Sequence, residues 1–155
     1  MPKRSAGILV YRRAAAGVEI FLVHPGGPFW AKKDEAAWSV PKGEHDEAED
    51  PLAAALREFT EETGQTVAGD FVPLGTFRQP GGKLVTVFAV AGEVDPATVV
   101  SNQFPLEWPP RSGNMRMFPE IDRAAWFPLA EARTKLHKGL VPVLDALAAK
   151  LAESS

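Results

Sequence analysis

Glu58, Glu61 and Glu62 stand at i, i+3 and i+4, a spacing that puts all three carboxylates on one face of a helix. Carboxylates held that close repel one another, and the repulsion is relieved when a cation lies between them. A hard divalent ion of the magnesium type takes oxygen ligands of this kind, a few carboxylates together with waters and substrate phosphates. Glu49, at the entry of the same helix, can reach the region, and Arg57 is spaced to pair with Glu61 at i+4. By itself the spacing also describes an ordinary solvated helix face. The surrounding charge argues for more. From Gly43 to Gly64 there are eight acids and only Arg57 against them, a net −7, while the rest of the chain sums to +4. Acid concentrated on a mildly basic body marks a cation site.

The cluster belongs to a longer pattern. Gly43 is followed after five residues by Glu49, and after seven more by Arg57-Glu58-Phe59-Thr60-Glu61-Glu62-Thr63-Gly64. This resembles the Nudix box, Gly-x5-Glu-x7-Arg-Glu-U-x-Glu-Glu-x-Gly-U, in which U is a bulky apolar residue. Seven fixed positions match, and at ordinary residue frequencies a chance match somewhere in the chain is about one in a million. The one departure is Gln65, which closes the box at residues 43–65 where an apolar residue is usual. Ser5–Tyr11, the lead-in Trp38-Ser39-Val40-Pro41-Lys42-Gly43 and the stretch Glu120–Phe127 are similar to the matching parts of Nudix proteins.

The resemblance implies one α/β domain over residues 1–155, an α/β/α sandwich with a mixed sheet. It also implies a magnesium-dependent hydrolase that cleaves the phosphoanhydride bond of a nucleoside diphosphate linked to another moiety. Carried over by position, Glu58, Glu61, Glu62 and the backbone carbonyl of Lys42 would hold Mg²⁺, with Mn²⁺ as a substitute and Glu49 supporting the cluster. Such an ion neutralises the diphosphate and lowers the pKa of a bound water. Glu58 and Glu120 are the two candidate bases, Glu58 favoured because it lies at the metal, and Arg57 completes the catalytic set. A nucleoside triphosphate or a diadenosine polyphosphate is the leading substrate. The downstream tyrosine common in the diadenosine enzymes is missing, since Tyr11 is the only tyrosine. Pro80 matches a proline common in ADP-ribose hydrolases, although a Pro80-Gly81-Gly82 turn explains it equally well. ADP-ribose pyrophosphatase is therefore the alternative. A nucleotide sensor without catalysis is another, which the retained glutamates disfavour.

Outside the box, Arg111 in the stiff stretch Trp108–Gly113 could grip phosphate in a bidentate manner. Lys42 and Lys83 are weaker phosphate candidates, as are Lys32 and Arg78. Phe29 and Trp30 could stack on a base. Trp38 and Trp126 read as packing residues. His24, His45 and His137 lack metal-ligand spacing, and His45 is expected to be exposed. Ser39 and Ser112 have no evident His–Asp partners.

These groups need a scaffold. Asp50 is a suitable N-cap, Pro51 suits the first helical position and Gly64 the C-terminal cap. Leu52, Ala55, Leu56 and Phe59 form the apolar stripe between them. Ala6–Tyr11 and Val18–Val23 predict a hairpin joined through residues 14–17. Trp38–Val40 predicts a short extended piece followed by a loop to Asp50. Strands are predicted near Phe71–Phe77, Leu84–Ala91 and Arg123–Phe127, the last introduced by Phe118-Pro119. Helices are predicted near Leu129–Leu136 and Val141–Leu151.

Composition bounds the reading. The 155 residues are 45% hydrophobic and 24% charged, enough for one core. No apolar run approaches the ~20 residues of a membrane span. The absence of cysteine excludes disulfides, thiolate metal sites and cysteine nucleophiles. No Lys/Arg cluster is large enough for stable nucleic-acid binding. A cytoplasmic protein acting on a small nucleotide, as monomer or homodimer, is expected.

Overall fold

Strand alternation sorts the apolar residues onto two faces of one sheet. In the computed structural model, which describes residues 3–154, β1 (Arg4–Ala14) turns through Ala15 and Ala16 into β2 (Gly17–Pro25), the expected hairpin. Along β1, Ile8 and Val10 point to one layer and Leu9 to the other. The remaining elements are β3 (Lys42–His45), α1 (Pro51–Thr63), β4 (Val72–Arg78), β5 (Leu84–Ala91), β6 (Gln103–Glu107), β7 (Met115–Pro119), β8 (Ile121–Pro128), α2 (Leu129–Lys135) and α3 (Val141–Ser154).

The main sheet runs β4-β5-β1-β2-β8, with β3 paired antiparallel to the start of β1. β1 and β5 are parallel over eight residues each and the other pairs are antiparallel, so the sheet is mixed. On one face Ala54, Ala55 and Phe59 of α1 pack on Ile8, Val10, Phe21 and Val23. On the other, Leu140, Val143, Leu144 and Leu147 pack on Leu9, Ile20, Leu22, Val85 and Val87, with Trp38 buried among them. Each face of the sheet is covered by helix, the α/β/α sandwich expected. Among the described residues no helix is long and apolar enough to cross a membrane.

Two predicted loops prove to be strand. The stretch before Asp50 contains β3, whose Lys-Gly-Glu-His sequence shows no apolar alternation. Phe118 and Pro119 do not introduce β8 but end β7, and β7 pairs with β6 in a separate two-stranded ribbon. That ribbon carries Pro105, an exposed Met115 and an exposed Met117, so it has no buried face for the sequence pattern to reveal. Trp108–Gly113 is its tip.

Candidate active site

Helix α1 is placed as its end signals require. The Asp50 carboxylate accepts the Ala53 N–H at 3.0 Å, and Gly64 closes the helix in the left-handed conformation. Strand β3 runs beneath the polar side of α1, and the two touch at Gly43. A Cβ on Gly43 would lie 2.0 Å from the carboxyl carbon of Glu58. Glycine here makes room for the Glu58 carboxylate.

Arg57 organises the cluster. Its Nε and Nη2 donate to the two oxygens of Glu49 at 3.2 and 3.1 Å, and its Nη1 donates to Glu58 at 2.9 Å and to Glu61 at 3.3 Å. The expected pair with Glu61 is present. The bidentate grip on Glu49 is new, and it occupies both oxygens of that side chain. Glu62 points instead at β3, where its Oε1 accepts the Lys42 N–H at 3.2 Å.

A further carboxylate arrives from across the molecule. Glu120 lies at the corner between β7 and β8. Its N–H donates to the Asn102 carbonyl at 2.8 Å, and its own carbonyl accepts the Gly26 N–H at 2.8 Å. A Cβ on Gly26 would fall 2.0 Å from the Pro119 carbonyl oxygen, so only glycine permits this approach.

Glu58, Glu61, Glu62 and Glu120 act on one another. Burial pushes the Glu62 carboxyl up to about 8, against the pull of the Lys42 N–H and ammonium, and Glu120 and Glu58 push it further. Burial and then Glu61 raise Glu58, against Arg57, and the same two causes raise Glu120. Lys42 is lowered from the usual lysine value, by burial first and then by Lys83. Carboxylates that resist ionising beside one another, all hard oxygen donors, fit a divalent cation by chemistry. Among the described residues no three acidic or histidine side chains converge on a single point, and Glu58 and Glu61 both turn to Arg57.

Beside the cluster opens a cleft of about 320 Å³ lined by Trp30, Ser39, Lys42, Gln79, Pro80 and His137, among others. Lys42 joins the two features, since its N–H is on Glu62 and the residue lines the cleft. Of the expected substrate residues, Trp30 lines this cleft, and the Lys33 ammonium sits 4.9 Å above its ring. Phe29 is exposed and meets Trp108 edge-on at 5.4 Å. Lys83 pairs with Glu44 at 3.6 Å. Arg111 lies at the ribbon tip, outside the cleft, with its N–H on Glu107 and a positive φ of 62°. Trp38 is core, and Trp126 packs edge-on to Phe21. His45 is half-buried rather than exposed, because it sits on β3 opposite Arg4. The Ser39 hydroxyl donates to the Val40 carbonyl. Gln79 has no part in the sequence reading, and His137 enters it only as a histidine without metal-ligand spacing. They reach the cleft from the β4–β5 turn and from the α2–α3 connection, and no local motif signals either.

Comparison with known proteins decides the family. The NUDIX domain family matches residues 1–147. The chain belongs to the Nudix family. It is a hydrolase of the kind that acts on pyrophosphate bonds, and enzymes of this family generally use divalent metal ions. Solved structures share the Nudix fold end to end. An Ap4A hydrolase of C. elegans, in a binary complex, is 22% identical, with 97% of this chain and 98% of that one covered at a TM-score of 0.61. The NUDIX domain of Shewanella oneidensis NrtR, complexed with ADP ribose, is 16% identical, with 97% and 89% covered at 0.65. A mutT/nudix family protein of Listeria innocua is 22% identical, with 99% and 97% covered at 0.64. Curated protein sequences gave no significant match.

Proposed function

We propose that this Nudix hydrolase cleaves the phosphoanhydride bond of a nucleoside diphosphate linked to a further moiety, with a nucleoside triphosphate or diadenosine polyphosphate as substrate. The observation that carries the reading is the junction at Lys42, which touches both the carboxylate cluster and the cleft. A nucleoside seated against Trp30 would place its phosphates at the Lys42 ammonium and then at the glutamates.

Glu58, Glu61, Glu62 and the Lys42 carbonyl would hold Mg²⁺, with Mn²⁺ able to replace it. The ion supplies charge neutralisation and an acidified water when bound. Glu49 contributes by fixing Arg57, and Arg57 orients Glu58 and Glu61. The base assignment moves to Glu120. Glu58 is tied to Arg57, whereas burial first and then Glu61 raise the proton affinity of the Glu120 carboxylate, as a base requires. Lys42 and Trp30 bind substrate, with Phe29, Lys83 and Arg111 as outer contacts.

A second reading has one observation behind it. Pro80 forms part of the cleft wall, and Pro80 is the residue that matches the ADP-ribose hydrolase pattern. A panel of nucleoside triphosphates, diadenosine polyphosphates, ADP-ribose and nucleotide sugars, incubated with Mg²⁺ and resolved by chromatography, tests both readings. Preferred cleavage of a triphosphate or diadenosine polyphosphate supports the first. Preferred release of AMP and ribose phosphate from ADP-ribose replaces it with the second.

A further inference from the structure

The carbonyls in the last turn of a helix have no partner within it, and in α1 two of them are taken by one short segment. Val100 N–H donates to Thr63 O at 2.9 Å and Asn102 N–H to Glu61 O at 2.9 Å. The same segment then turns its other edge to the corner that carries Glu120. Asn102 O accepts the Glu120 N–H at 2.8 Å. The residue between, Ser101, supplies the side-chain part of this frame. Its Oγ accepts the Ile121 N–H at 3.0 Å and lies 2.9 Å from Asn102 O and 3.3 Å from Ile121 O.

The arrangement has a local cause. Ile121 stands opposite Pro25 in the β2–β8 ladder, just where the register shifts. Proline has no N–H to give that ladder, and Ile121 is buried away from water. Proline leaves the Ile121 carbonyl without its ladder donor; the Ser101 hydroxyl lies 3.3 Å from that carbonyl and also accepts the Ile121 N–H, so it fastens the peptide between Glu120 and Ile121 to the segment hung from α1.

We infer that Ser101 is a positioning residue for hydrolysis, fixing the height of the Glu120 carboxylate above the helix that carries Glu61. The inference rests on the reading of Glu120 as the base. Without the hydroxyl the Ile121 amide loses its acceptor, and the corner is held through Glu120 by backbone bonds to Asn102 and Gly26 alone. Ser101 is half-buried, and its hydroxyl oxygen is the only heavy atom the alanine change removes.

The test is a double-mutant cycle of Ser101→Ala and Glu120→Gln, with Ser101→Thr as the variant that keeps a hydroxyl, read on the panel nucleotide the wild type cleaves fastest. Ser101→Ala should lower kcat about 10- to 30-fold with KM within about two-fold, as loss of an interaction made in the transition state does. Ser101→Thr should stay within about three-fold of wild type. On the Glu120→Gln background the alanine change should cost less than about two-fold further. A readout independent of turnover is amide hydrogen exchange, in which the Glu120 and Ile121 amides should exchange about ten-fold faster or more in Ser101→Ala while α1 amides are unchanged. Equal losses on both backgrounds, or no loss on either, would overturn the inference. Wild-type turnover by Glu120→Gln would instead remove Glu120 as the base. Ser101 would then stand refuted as a positioning residue even if the exchange data showed the hydrogen bond.

Discussion

Glu62 makes the clearest demand on the free energy of the metal-free protein. Its carboxyl sits near 8 in the fold, against an ordinary value of 4.5, because it is buried. A group that holds its proton more tightly when folded stabilises the fold below its unfolded value. That stability drains away as the pH rises from about 4.5 toward 8, at about 1.4 kcal/mol for each pH unit. Glutamine at this position carries no such dependence and keeps an oxygen to accept the Lys42 N–H. Between pH 5.5 and 8, with EDTA present, Glu62→Gln should therefore gain about 3 kcal/mol relative to wild type, equivalent to about 6–12 °C in melting temperature for a chain of this size. Urea unfolding of both proteins at the two pH values measures it. Mg²⁺ at 100 times its Kd should cancel most of that difference, since the ion stabilises by about 2.7 kcal/mol only where its ligands are intact. Parallel pH profiles for the two metal-free proteins would refute the reasoning.

Other outcomes follow from close approaches at the site. Gly43→Ala puts a methyl group where the Glu58 carboxylate lies, and because that carboxylate is the far end of a flexible side chain it can swing away. The variant should melt within a few degrees of wild type yet lose about 100-fold in kcat. Gly26→Ala meets the Pro119 backbone instead, which cannot swing, so urea unfolding should show a loss of about 3 kcal/mol or more. Trp30→Ala should raise KM about ten-fold with little change in kcat, the mark of a group that binds ground and transition states alike; a matching fall in kcat would take Trp30 out of that role.

Helix α1 was legible because its end signals and its function share one stretch of chain. Asp50-Pro51 and Gly64 fix the helix, and the same 13 residues carry the three glutamates. The β1–β2 hairpin was legible from two short, continuous apolar runs on either side of a short turn. What escaped was made by tertiary contact. β3 forms because β1 offers it an edge, not because Lys-Gly-Glu-His prefers to be extended. The β6–β7 ribbon buries so little that no periodicity marks it. Arg57 was paired by spacing with Glu61 alone, whereas its firmer grip is on Glu49, eight residues away and outside the helix. Glu120 was readable only through the family resemblance. Its place beside Glu61 depends on a segment, Val100–Asn102, with no sequence signature of its own. The cleft draws on residues from Pro25 to Leu140, and no window of sequence spans it.

If the acidic face of α1 cleaves a phosphoanhydride through a divalent ion, turnover must depend on both the ion and the carboxylates of that face. The most direct measurement is turnover of the best panel nucleotide by wild type and by Glu61→Gln across a Mg²⁺ titration starting from EDTA-treated protein. Wild type should be inactive without the ion and rise to saturation. Glu61→Gln should need far more Mg²⁺ or reach a plateau about 100-fold lower. Full activity in EDTA, or an unchanged Mg²⁺ titration in Glu61→Gln, would contradict the account.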